Sequence, residues 1–185
     1  MGGDIVTADH IDCRRYELIG INDEREALVI HDIHSGMIHV YPVATNNVEA
    51  TMEAIQHFRG TRRIKLLYSG GARELHAVCR QLGITHETSS PGQSQNNGII
   101  ERTNQEVEVG VAACLLQAGL PAQFWTFAAP CYCRLLNKAP WQGVSRWYKA
   151  LGDEFAGQRL PFGCRAAYRP SPAKDLPRGK WEPVT

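Results

Sequence analysis

The chain has 185 residues, 43% of them hydrophobic and 21% charged, which suits one globular domain with a small appendage. No run approaches the roughly 18 apolar residues of a membrane-spanning helix, and the start, MGGDIVTADH, has neither the basic nor the apolar region of a secretory signal. The net charge of +1 is uneven: residues 1–137 carry 11 Lys/Arg against 15 Asp/Glu and residues 138–185 carry nine against four, so a basic tail follows an acidic body and hints at a polyanionic partner.

DIVTADHID reads as a first strand, beginning so near Met1 that the chain resembles a piece cut from a longer protein at a domain edge. REALVIHDIHSGMIHVYPV reads as two strands joined by a turn at His34-Ser35-Gly36. NNVEATMEAIQHFRG is a helix, capped by Asn46 or Asn47, with Val48, Met52 and Ile55 in a three-to-four rhythm and Gly60 as its stop. RRIKLLYS is a strand and ARELHAVCRQLG a short helix buried along Leu75, Val78 or Cys79, and Leu82. ITHETS is again extended, and SPGQSQNNG is a loop of turn formers.

A long helix follows, with Ile100, Val107, Val111 and Ala118 on its apolar face and Gly119 at its end. Pro121 opens a further helix, PAQFWTFAAPCYCRLLN, which Pro130 is expected to kink. Beyond Pro140 the composition turns to Gly, Pro and basic residues, with short strands expected at RLPF and CRAAY and a disordered end, RPSPAKDLPRGKWEPVT. The order β-β-β-α-β-α-β-α-α suggests an α/β domain with a mixed sheet covered by helices. Six cysteines, none in a CxxC pair, read as reduced core residues of a reducing compartment rather than a zinc knuckle.

The chemistry concentrates at one βα junction. In IKLLYSGGARELHAV an apolar strand ends at Ser69 and a helix follows, yet the junction carries Gly70, with no side chain. Asp9 in the first strand and Glu101 in the first turns of the long helix are carboxylates that could meet there. Mg²⁺ prefers such hard oxygen ligands, and two ions about 4 Å apart can activate a hydroxyl and stabilise a leaving oxygen in phosphodiester chemistry.

HETSSPGQSQNNGIIERTNQEV matches a specific pattern: His, Ser-x-Pro, Gln-x-Asn-Gly, two apolar residues, then Glu-Arg-x-Asn. AGLPAQFWTFAAPCYCRLLNKAP, ALVIHDIHSGMIHVYPV and KLLYSGGARELHAVCRQLGI supply further blocks in the same order. Residues 4–140 thereby resemble the catalytic core of retrotransposon and retroviral integrases, most closely the copia type, and residues 141–185, a basic extension containing GDEFAGQRLPFGCRAAY, resemble the segment that follows that core.

The resemblance implies a ribonuclease H-like fold, a mixed sheet flanked by helices with a small basic β-rich appendage. It implies DNA 3′-end processing and strand transfer with Mg²⁺ or Mn²⁺ on an Asp–Asp–Glu triad, retroelement ends and target DNA as partners, a possible homo-oligomer, and a nuclear setting. By position the metal-holding catalytic acids are Asp9 and Glu101, and the middle Asp falls on Gly70. One metal would lose a protein ligand, and the chain would be catalytically impaired. Glu74, Asp12 and Asp32 are considered as substitutes and set aside, Asp12 because three residues along a strand it faces away from Asp9.

Nucleic-acid contact is assigned to Asn97, Arg102 and Asn104 at the head of the long helix and to Arg146, Lys149, Arg165 and Arg169 in the extension. Against this, Gln105 and Glu108 stand on the helix face where such integrases carry Lys or Arg, and an acid there would repel phosphate. His10 and His86 read as packing or hydrogen-bonding residues, and Trp125 and Phe124 as core. Two other readings stay open: a non-catalytic nucleic-acid- or protein-binding module on the same scaffold, and a decaying transposon fragment. No G-x-S-x-G elbow or glycine-rich nucleotide fingerprint is present.

Overall fold

Residues 4–15, 18–88, 97–168 and 182–183 are described by a computed structural model. Most of the SPGQSQNNG loop, Arg169 and most of the C-terminal tail lie outside those residues, and the last two residues of the SPGQSQNNG stretch, Asn97 and Gly98, belong to a helix rather than a loop. β-Branched and apolar residues form strands β1 (Ile5–Asp12), β2 (Glu26–Asp32) and β3 (Ile38–Val43), and shorter runs form β4 (Leu66–Ser69) and β5 (Thr85–Thr88). They make one sheet in the order β3-β2-β1-β4-β5. β1, β2 and β3 pair antiparallel, whereas β4 and β5 run parallel to β1. The parallel half follows from its connections, each return passing through a helix: α1 (Val48–Arg59) before β4 and α2 (Arg73–Leu82) before β5.

The helix ends follow the sequence signals. Asn47, not Asn46, caps α1, its side chain accepting from Ala50 N at 2.8 Å, and Gly60 ends it at φ 54°. Gly83 closes α2 in the left-handed conformation. The long helix α3 (Asn97–Ala118) stops at Gly119. After Pro121 the structure departs from the expected single helix: Ala122–Phe124 is a tight 3-10 turn, and α4 (Trp125–Lys138), which contains Pro130, starts only at Trp125.

Strand alternation sends β1 side chains to two cores. Val6 and Ala8 pack with Leu28, Ile30, Ile55, Phe58, Leu75 and Val78 under α1 and α2. Ile11 joins Val29, Val40, Ile100, Val107 and Trp125 under α3 and α4. The result is three layers, helices–sheet–helices, held chiefly by burial worth roughly 1.5–3 kcal/mol per large aliphatic side chain. Trp125 is core, as the sequence suggests, its indole donating to Leu18 O. Among the cysteines Cys79 and Cys133 are buried, Cys13, Cys114 and Cys131 half-buried and Cys164 exposed, and none is bridged.

The extension differs most from expectation. RLPF forms no strand: Leu160 is exposed, Pro161 has no N–H to give a ladder, and no strand pairs with it among the described residues. CRAAY does supply β8 (Ala167–Tyr168), which pairs with β9 (Glu182–Pro183) inside the end expected to be disordered. Ahead of it stand a hairpin of β6 (Pro140–Trp141) and β7 (Val144–Ser145), turned by Gln142 and Gly143 at φ 51° and 85°, and helix α5 (Arg146–Leu151), capped by Ser145. Pro-Trp-Gln-Gly-Val-Ser held the signals, a two-residue turn with glycine and a serine cap, that could have revealed both.

Candidate active site beside the ends of β1 and β4

Asp9 sits on β1 opposite Val29 and is half-buried. β4 runs parallel to β1 with Ala8 level with Ser69, so Gly70, the next residue, leaves the sheet beside Asp9. Alternation turns Asp9 toward α3, and there Asn104 Nδ2 donates to Asp9 Oδ2 at 3.2 Å. Glu101 lies one turn before Asn104 on the same helix and is exposed. Residues three apart on a helix are neighbours, about 5–6 Å between Cβ atoms, so the Asp9–Asn104 bond brings the head of α3, with Glu101, to the side of the sheet that Asp9 faces.

A second bond fixes the same helix. His31 Nδ1 meets Thr103 Oγ1 at 2.7 Å, and that hydroxyl donates to Ile99 O at 2.8 Å, so the imidazole is the donor. Burial, chiefly, and the charge of Arg146 lower the His31 pKa to about 4, which keeps the ring neutral.

The glycine is ordinary in everything but its side chain. A Cβ built at Gly70 meets nothing within 4 Å, and its φ lies outside the left-handed region, whereas Gly71 occupies that region at φ 82° and makes the turn. A side chain at position 70 would therefore find open space. Ser69, buried, gives its hydroxyl to a bond with His86 Nε2 at 2.7 Å, a structural tie between β4 and β5.

His10 and Asp32 stand apart from this place. His10 faces away from Asp9, and the charges around it are those of Glu26, Asp9 and Glu74; burial outweighs them and lowers its pKa. Asp32 is fully buried at the far end of β2, level with Val6, where Oδ1 accepts from His34 N and Ser35 N and Oδ2 lies 3.7 Å from Arg62. It holds the β2–β3 turn. Glu108 is exposed, but near enough to Cys13 to help raise that thiol, whose pKa burial pushes up to about 11.

The remaining expected contacts are dispersed. Arg102 is exposed on α3, and Asn97 begins that helix, its side chain outside the described residues. Arg146 binds Glu106 at 3.2 Å and is half-buried, whereas Lys149 and Arg165 are exposed. Asp9, Glu101 and the Asn104 amide are hard oxygen donors of the kind Mg²⁺ or Mn²⁺ takes. Yet among the described residues no group of three or more His, Cys, Asp or Glu side chains is placed to hold a metal ion.

The mixed open sheet flanked by helices, with acids carried on the central strand and on a facing helix, is compatible with a ribonuclease H-like fold. No protein-family profile matches the chain. Curated relatives do: it is 30% identical over 139 residues to the retrovirus-related Pol polyprotein of transposon TNT 1-94 from Nicotiana tabacum, covering 69% of this chain and 10% of the relative. It is 28% identical over 159 residues to the Pol polyprotein of transposon RE2 from Arabidopsis thaliana, 80% of this chain and 11% of the relative, and 29% over 121 residues to that of RE1 from the same plant, 62% and 8%. These relatives make the chain a retrotransposon Pol-derived domain of plant copia-type likeness, spanning about a tenth of the polyproteins it matches.

Proposed function

We propose that the chain is the ribonuclease H-like catalytic core of a retrotransposon integrase, that it binds DNA, and that Gly70 has removed most or all of its strand-transfer chemistry. The observation that carries this reading is the Asn104–Asp9 bond, which sets the head of α3 against the central strand beside the bare junction at Gly70. Asp9 and Glu101 are the residues that would take Mg²⁺ or Mn²⁺. Bound in pairs, such ions polarise an attacking hydroxyl and neutralise a leaving oxygen in phosphodiester exchange. With two carboxylates for a site that needs three, no catalytic step is assigned to this sequence.

What the chain's own residues do is hold and orient. Asn104 fixes the Asp9 carboxylate, and Thr103 with His31 pins the turn of α3 that follows Glu101. Arg102, Lys149 and Arg165 are the exposed cations proposed to meet DNA phosphate, in a nuclear setting. Loss of transition-state electrostatics costs about 10²–10³ in rate per group, and loss of an ion's ligand is expected to cost more.

A strand-transfer assay in Mg²⁺ and in Mn²⁺ tests the reading. The parent chain should be at least about 10²-fold slower than Gly70→Asp, and Glu101→Gln in the Gly70→Asp background should abolish the gain. Robust activity of the parent, removed by Glu101→Gln, would refute the loss of function.

A further inference from the structure

On the far side of the molecule from Gly70, β3 is an outer strand of the sheet, and a groove of about 730 Å³ runs along its edge. Its floor is β3 itself. One wall is a stripe of α1 with Ala50, Ala54 and His57, and the other a stripe of α4 with Cys133, Arg134 and Lys138.

An outer strand presents unpaired backbone groups on alternate residues. In β3 the odd residues turn inward, since Met37 O accepts from Asp32 N and Val43 O accepts from Arg25 N. The even residues turn outward. Ile38 is already served by a side chain acting as a strand: Asn137 Oδ1 accepts from Ile38 N at 3.0 Å and Asn137 Nδ2 donates to Ile38 O at 2.7 Å. Val40 is next, and neither its N–H nor its C=O has an outward partner among the described residues. Pro42 follows, with a carbonyl and no N–H. The edge therefore offers three bonds, two at Val40 and one at Pro42, closed off at one end by Asn137 and weakened at the other by proline.

Charge selects what would lie there. Arg134 is exposed and Lys138 half-buried on the α4 wall, and neither has an acidic partner among the described residues. Lys138 Nζ is held 3.6 Å from the centre of the Phe155 ring and 5.3 Å from that of Trp147, which fixes the ammonium at the rim. On the α1 wall the one acid is Glu53, and His39 on the floor is neutral near pH 7 because burial lowers its pKa to about 4. The groove is apolar along its floor and positive along one side.

We propose that this groove binds a short acidic segment of a partner protein in extended form, added as a sixth strand on β3, with carboxylates on alternate residues turned to Arg134 and Lys138. Backbone bonds to Val40 and Pro42 give the register, and the two cations select the sequence. The site is separate from the Asp9–Glu101 region and does not depend on the function proposed for it.

The test uses the whole chain and a fluorescein-labelled eight-residue peptide alternating Glu and Val, followed by anisotropy. Three comparisons accompany it: the Gln/Val peptide, the Glu/Val peptide N-methylated at its central residues, and the double variant Arg134→Glu, Lys138→Glu. The expected result is saturable binding that falls at least about 10-fold in each comparison, because each removes several charge pairs or backbone bonds at once. The N-methyl comparison leaves the protein untouched, so a folding defect cannot imitate it. Equal binding of all three peptides overturns the proposal. So does a peptide that fails to bind while the chain dimerises and Arg134→Glu, Lys138→Glu abolishes that dimer, since the groove would then belong to a second copy.

Discussion

His31 shows how much of this fold hangs on single polar atoms. Its ring is neutral, half-buried near Arg146, and donates to Thr103. The folded pKa of about 4 lies below the ordinary histidine value of about 6.5, so the unfolded chain binds the proton more tightly. Stability is therefore complete above pH 6.5 and drains as pH falls toward 4, by on the order of 3 kcal/mol for this one group. His39, lowered to about 4 by burial and by His57, acts in the same direction. The melting temperature should drop steadily from pH 7 to pH 4.5, and His31→Gln, which keeps a donor for Thr103, should flatten part of that fall. A melting temperature that rises toward pH 4.5 would contradict the neutral buried rings.

Among elements, the seat of α3 on α4 turns on Gly110. A Cβ there would run into the ring of Tyr132 on α4. Alanine is the better helix former by about 1 kcal/mol, but overpacking costs typically 1–3 kcal/mol, so the clash decides the sign. Gly110→Ala should lower stability by up to about 2 kcal/mol in urea unfolding; a stabilised variant would mean the two helices are not so close. The sequence revealed the existence of α1, α2 and α3 because periodic apolar residues and glycine stops coincide there. It did not reveal that Gly110 is a helix crossing, since glycine in a helix reads only as a weak position until its neighbour is known. The hairpin at Trp141–Val144 and helix α5 were hidden by composition: Gly, Pro and basic residues suggested a loose tail, and the local turn and cap signals were passed over. RLPF misleads for the opposite reason: its apolar residues suggest a strand, but no strand pairs with it among the described residues.

At the scale of the molecule, the sheet order β3-β2-β1-β4-β5 places the end of β4 next to the middle of β1, while α3 packs in front of β1 and β2. The positions of Asp9 and Gly70 could be read from the sequence because strands and a βα junction bracket them. The Asn104–Asp9 bond could not, because it joins residues 95 apart. The proposed site rests on one geometric expectation, that residues 9, 70 and 101 surround a common space that lacks one carboxylate. Calorimetric titration of Mn²⁺ into the parent chain, Gly70→Asp, and Gly70→Asp with Asp9→Asn measures it directly. A Cβ at position 70 meets nothing and the backbone there is outside the left-handed region, so Gly70→Asp should fold and bind Mn²⁺ at least about 10-fold tighter than the parent, and Asp9→Asn should erase that gain. Identical Mn²⁺ affinity for the parent and a folded Gly70→Asp would contradict the claim.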